Sequence, residues 1–168
     1  MRLPMKLPER LQKALSTVPE QPHTIRYIDL PMCEEGWNER RHQFPREKGI
    51  YILFAPNQRC LRIGIGGGVN GIYGRWFASL SAHYSSYKGN CSEACKSYYY
   101  FYKQIEQVWN SIAVVFLTFP TTPRKKILVI EKLLIQNLSP IWEIRIDGKL
   151  LWSQATEEYL PSLDIFNS

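Results

Sequence analysis

The sequence predicts a mixed α and β domain, and three observations carry that reading. Gly49-Ile50-Tyr51-Ile52-Leu53-Phe54 and Cys60-Leu61-Arg62-Ile63-Gly64-Ile65 are two strand-like runs joined by the turn-prone Ala55-Pro56-Asn57-Gln58-Arg59. Ile112 to Phe119 is a strongly apolar run of eight residues, the length of a buried strand and too short for a helix that crosses a bilayer. Ile127 to Ile135 carries its apolar residues at helical spacing. At 168 residues, 45% hydrophobic and 21% charged, the chain suits one soluble globular domain.

Taken in order, Pro8 to Ser16 is expected to form a short helix and Thr24 to Leu30 a strand. Met32 to Lys48, with scattered charges, Gly, Pro and isolated aromatics, reads as a loop leading into the core. Period-two alternation then sets a hairpin register: Ile50 opposite Ile65, Ile52 opposite Ile63, Phe54 opposite Leu61, all six on one face. The other face carries Tyr51, Leu53, Arg62 and Gly64. Gly64 lies across from Tyr51 and leaves the phenol uncovered from that strand. Gly66 to Gly71 satisfies the G-x-G-x-x-G spacing. The preceding strand pairs as an antiparallel hairpin, and Glu93 falls in a polar stretch, so the segment reads as a flexible turn rather than a dinucleotide site. A helix is expected from about Ile72 to His83, with Arg75, Ser79 and His83 stepping along one flank.

Twenty-one Lys and Arg against fifteen Asp and Glu give a net charge of +6, which favours a polyanionic partner. The N-terminal residues Met1 to Leu11 contain no apolar stretch of signal-peptide type, so an intracellular, cytoplasmic location without membrane association is expected. Cys33, Cys60, Cys91 and Cys95 have no finger-like Cys or His partners and read as reduced thiols.

Glu131 is the most informative residue. Its helical neighbours at three and four residues in either direction, Ile127, Leu128, Leu134 and Ile135, are all apolar, while Lys125, Lys132 and Gln136 gather on the opposite arc. A carboxylate on an apolar face must raise its pKa, pair with a cation or coordinate a metal. An Arg or Lys from another element answers that need as well as a catalytic role does.

Gly49-Ile50-Tyr51, ten intervening residues, Arg62-Ile63-Gly64, an arginine on the following helix, and a glutamate in a later helix that ends Leu138-Ser139-Pro140 together resemble the GIY-YIG nuclease family over Gly49 to about Glu143. The resemblance implies an antiparallel sheet of about three strands flanked by helices, an α+β arrangement in the broad α/β class. It also implies metal-dependent hydrolysis of DNA phosphodiesters. On it, residues 49–145 form the nuclease-like domain, 1–48 an N-terminal extension packing on the core, and 146–168 a C-terminal tail.

By matching position, Tyr51 would activate the attacking water, Arg75 would hold the scissile phosphate, and Glu131 would bind Mg2+ or another divalent cation. The second tripeptide begins with Arg62 where the family has tyrosine. A guanidinium cannot carry the proton of a phenol, although it can hold a phosphate. Glu143 stands where relatives have asparagine, and His83 lies eight residues after Arg75, farther than the helical histidine of relatives; it is kept as an accessory candidate. For DNA contact the candidates are Lys88, Lys96 and Lys103, interleaved with Tyr84, Tyr87 and Tyr98 to Tyr102, together with Arg124, Lys125 and Lys126, whose cations oppose the macrodipole at a helix start. For the tyrosine-rich run, core packing by two or three rings with exposed hydroxyls on the rest is the plainer account. The expected activity is that of a DNA endonuclease; the alternative is a non-catalytic nucleic-acid-binding domain on the same fold.

Overall fold

Four strands, β1 (Thr24–Pro31), β2 (Gly49–Phe54), β3 (Cys60–Gly66) and β4 (Ser111–Thr118), lie in one antiparallel sheet in the order β1-β4-β2-β3. The coordinates are a computed structural model that describes residues 6–90, 96–141, 145–146 and 149–150. The helices are α1 (Glu9–Leu15), α2 (Glu34–Arg40), α3 (Gly71–Phe77), α4 (His83–Tyr87), α5 (Lys96–Val108) and α6 (Arg124–Leu138). A short ribbon of β5 (Arg145–Ile146) and β6 (Lys149–Leu150) follows. The described fold is α+β, with one strand more than the three expected, because β1 from the N-terminal segment pairs along the whole of β4.

Helices cover both faces of the sheet, so β2 is buried at all six positions and reads as a continuous apolar run. Odd positions of β2, Tyr51 and Leu53, join Trp37, Phe44, Trp76, Phe101, Tyr102 and Phe116 in an aromatic layer under α2, α3, α4 and α5. Even positions, Ile50, Ile52 and Phe54, join Leu11, Leu15, Ile127, Ile130 and Leu134 in an aliphatic layer under α1 and α6.

The predicted hairpin register holds for Ile50 with Ile65 and Ile52 with Ile63, and Tyr51 faces Gly64. It fails at the turn end. Phe54 opposes Cys60, not Leu61, because the ladder is irregular between Leu53 and Phe54, and Leu61 goes to the aromatic layer instead. Met32 to Lys48 is no plain loop: α2 occupies Glu34–Arg40, a 3-10 turn follows at Arg41–Gln43, and the Cys33 sulfur accepts from Gly36 N at 3.4 Å as N-cap. The helix expected over Ile72 to His83 is broken into α3 and α4 at Ala78 to Ala82. Ser85 Oγ donates to Ser79 O and Arg75 Nη1 donates to Ser81 O, so side chains satisfy the freed carbonyls.

Glu131 is not at the centre of the apolar face of α6. The buried stripe is Ile127, Ile130, Leu134 and Leu138, whereas Leu128 is 43% exposed, and Glu131 lies half-buried on the flank. Among the described residues no helix is long and apolar enough to cross a membrane. Cys91, Glu93, Cys95 and Glu143 lie outside the described residues, as does most of the segment after 146.

Candidate functional site

Strand alternation points Tyr51 and Arg62 to the same face, and the helices above that face bring four more polar side chains to them. Tyr51 is fully buried and its hydroxyl lies 2.7 Å from His83 Nε2. The other ring nitrogen of His83, Nδ1, lies 2.6 Å from the Tyr102 hydroxyl. A neutral imidazole has one N–H, so one phenol donates to the ring and the other accepts from it. Trp76 stacks on His83 at 4.4 Å, with an interplanar angle of 19°, and closes the ring off from water.

Beside this chain of three, Arg62 Nη2 and Arg75 Nη2 both donate to the Tyr98 hydroxyl, at 2.8 Å and 2.7 Å. The Tyr98 ring meets the His83 ring edge-on at 4.7 Å, which joins the two groups. The sequence-predicted Tyr51, Arg62, Arg75 and His83 therefore meet in one site. Gly64 does not leave the phenol uncovered for a ligand. A Cβ on Gly64 would overlap the Tyr51 ring and hydroxyl, so the ring itself fills the space that the missing side chain provides.

His83 is buried rather than on an exposed flank with Arg75 and Ser79, because the break after α3 lets α4 start with its first side chain turned inward. Tyr98 and Tyr102 join the site through their hydroxyls, which the sequence reading did not single out, offering the run Tyr98 to Tyr102 as a nucleic-acid contact with core packing as the plainer account. The available signal was their i, i+4 spacing on α5, which aligns both phenols on one face. Tyr98, Phe101 and Tyr102 are buried, so three of the five rings do pack as expected.

Burial pushes the Tyr51 phenol up, with Arg62 and Arg75 pulling back against it. Burial also drives Tyr102 well above the ordinary phenol value. His83 is held well below its usual value, first by burial and then by the Arg75 and Arg62 guanidiniums. At neutral pH the chain is thus phenol, imidazole, phenol, all uncharged.

His83 binds protons more weakly folded than unfolded, so its contribution is complete above about pH 6.5 and is lost as pH falls towards its folded value. The raised phenols contribute fully below about pH 10 and lose that contribution as pH rises through it. Urea unfolding from pH 5 to 8 is expected to show wild type losing up to about 1.4 kcal/mol per pH unit relative to His83→Gln below pH 6.5. Parallel curves for the two proteins would mean that His83 is not held neutral.

No protein-family model and no curated protein matches this sequence.

The remaining predicted residues divide. Arg124 opens α6 and lines a cleft with Ile65, Gly67, Gly71, Gly74 and Arg75, at the outer edge of β3. Lys125 and Lys126 turn instead to a groove that contains Glu20. Lys88 lies 4.0 Å from Glu34 and over the Tyr84 ring, and Lys103 lies 2.9 Å from Glu106, so both are engaged by the protein's own groups. Lys96 begins α5, and its side chain lies outside the described residues.

Glu131 lies on α6, which covers the sheet face opposite Tyr51. It follows Arg124 by seven residues, within about 20° around the helix and about 10 Å along it. Both residues therefore lie on the flank of α6 that runs beside β3. Among the described residues no group of three or more His, Cys, Asp or Glu could cage a metal ion. The donor set fits a divalent cation of Mg2+ type only as a single carboxylate completed by water and phosphate oxygens, which is how that ion is commonly held.

Proposed function

We propose that the chain is a metal-dependent DNA endonuclease that hydrolyses phosphodiester bonds by GIY-YIG-type chemistry. The observation that carries this reading is the meeting of Tyr51, its imidazole partner His83, and the guanidiniums of Arg62 and Arg75 through one phenol, Tyr98. In this reading Arg75, at the half-buried rim, holds the scissile phosphate, and Arg62 supports it from within. Tyr51 takes a proton from the attacking water as its own passes to His83 Nε2, while Nδ1–H remains on the Tyr102 oxygen. Burial is the larger cause that holds His83 neutral; anionic phosphate offsets the two guanidiniums that add to it, and so eases that transfer when substrate is present. Arg62 thus replaces the expected second tyrosine as a phosphate-side cation rather than a proton carrier. Glu131 would hold the divalent cation, which supplies charge neutralisation at the phosphate and acidifies bound water.

The test is incubation of supercoiled DNA with the protein and Mg2+. Nicked circles are expected, and none in the presence of chelator. No nicking at any metal concentration, with DNA still bound, would leave the second reading, a nucleic-acid-binding domain on this fold. The complete burial of Tyr51 favours that alternative.

A further inference from the structure

The cleft beside the glycine-rich turn stands apart from the Tyr51 and His83 chain. It has a volume of about 410 Å3, and much of its lining is the backbone of Gly67, Gly68, Gly71 and Gly74, with the Ser79 and Ser81 side chains nearby. Two guanidiniums reach it from opposite faces of the sheet: Arg75 from α3 and Arg124 from the first turn of α6. Arg75 is fixed by Ser81 O and the Tyr98 hydroxyl. Arg124 makes no ion pair or side-chain hydrogen bond among the described residues.

The glycine at 67 is what lets Arg124 lie on the turn, since a Cβ there would sit 2.8 Å from its Nη1. At Gly68 a Cβ would meet nothing within 4 Å, so the cleft opens to solvent. Three cations follow Pro123 at the start of α6, with no acidic residue in the first turn and no side-chain cap. Lys125 and Lys126 line a groove with Glu20, whereas Arg124 lines the cleft.

We infer that this cleft is a second phosphate subsite, in which Arg124 and the Gly67 to Gly71 turn hold the phosphate next along a DNA strand from the one on Arg75. The inference rests on the nuclease reading for its substrate class and makes that substrate a continuous strand, not a mononucleotide. Two guanidiniums on separate elements, each presenting a planar fork, suit two successive phosphates better than one.

The experiment is equilibrium binding of a short single-stranded DNA, read by fluorescence anisotropy across a salt series with chelator present, so that cleavage plays no part. Arg124→Ala is expected to weaken binding and to flatten the slope of log affinity against log salt by about 0.7, one phosphate contact on a single strand. Gly67→Ala is expected to move in the same direction with an unchanged melting temperature, because its methyl displaces only the flexible end of Arg124. Lys132→Ala, an exposed cation about 12 Å along α6 and outside the cleft, should leave the slope as it is. Equal flattening by Arg124→Ala and Lys132→Ala, no change in Arg124→Ala, or dAMP binding as tightly as the strand would each overturn the inference. A flattened slope in Arg124→Ala alongside a wild type that nicks no DNA would sink the catalytic reading and leave the subsite standing.

Discussion

Tyr51→Phe is expected to lower strand-nicking turnover by at least ~10², the contribution of a positioned proton carrier, whereas Tyr102→Phe should keep turnover within about tenfold of wild type. The pair is informative because the two phenols flank one imidazole, at 2.7 Å and 2.6 Å. Either substitution removes a hydroxyl from a buried nitrogen of His83, and each should cost roughly 1–3 kcal/mol of stability. Thermal melting will therefore fall for both, and only chemistry separates them. Nicking kinetics measured at a temperature where both variants are folded make the comparison. Equal loss of turnover in the two would reduce Tyr51 to a packing residue whose hydroxyl serves His83.

A still larger effect is expected for Glu131→Gln, which should eliminate Mg2+-dependent nicking. The amide keeps the shape and removes the charge a divalent cation needs. Because Glu131 lies half-buried on the flank of α6, outside the stripe of Ile127, Ile130, Leu134 and Leu138, the helix should stay packed. Melting temperature and anisotropy-measured DNA affinity in chelator should remain near wild type. Cleavage surviving in this variant would remove Glu131 from the mechanism and point to another source of metal ligands.

The fold was legible where side-chain period and burial coincide. Ile50, Ile52, Ile63 and Ile65 declare their face by strict alternation, and the two central pairings follow from it. Burial on both faces made β4 a plain apolar run, just as readable. Legibility ended where the side-chain period carries no signal. The helix α2 has Trp37 as its large buried apolar side chain, so no periodicity announces it. The break at Ala78 to Ala82 depends on Ser79, Ser81 and Ser85 satisfying local polar groups, and without it His83 would follow the helical flank to solvent.

In the site, Tyr51 and Arg75 were named by matching position in the family resemblance. Tyr98 and Tyr102 were not, because within a run of five aromatics their i, i+4 spacing does not stand out. Glu131 was singled out by counting Leu128 as buried; the actual stripe lies to one side, and the carboxylate sits at its margin.

Among the described residues the sheet ends at β1 on one side and β3 on the other, and the two edges differ in how they could meet copies of this chain. At β3 the edge is bracketed by Arg75 and Arg124, and Ile141 N already bonds Cys60 O at 3.1 Å. A neighbour that extended the sheet there would occlude the cleft. At β1 the row of edge groups is interrupted: Arg40 Nε holds the Asp29 carbonyl at 3.1 Å, Pro31 has no N–H to offer, and exposed Arg26 would face a like charge in a two-fold pairing. Strand-to-strand polymerisation is thus opposed at both borders, so that copies of this chain can crowd together without their sheets fusing.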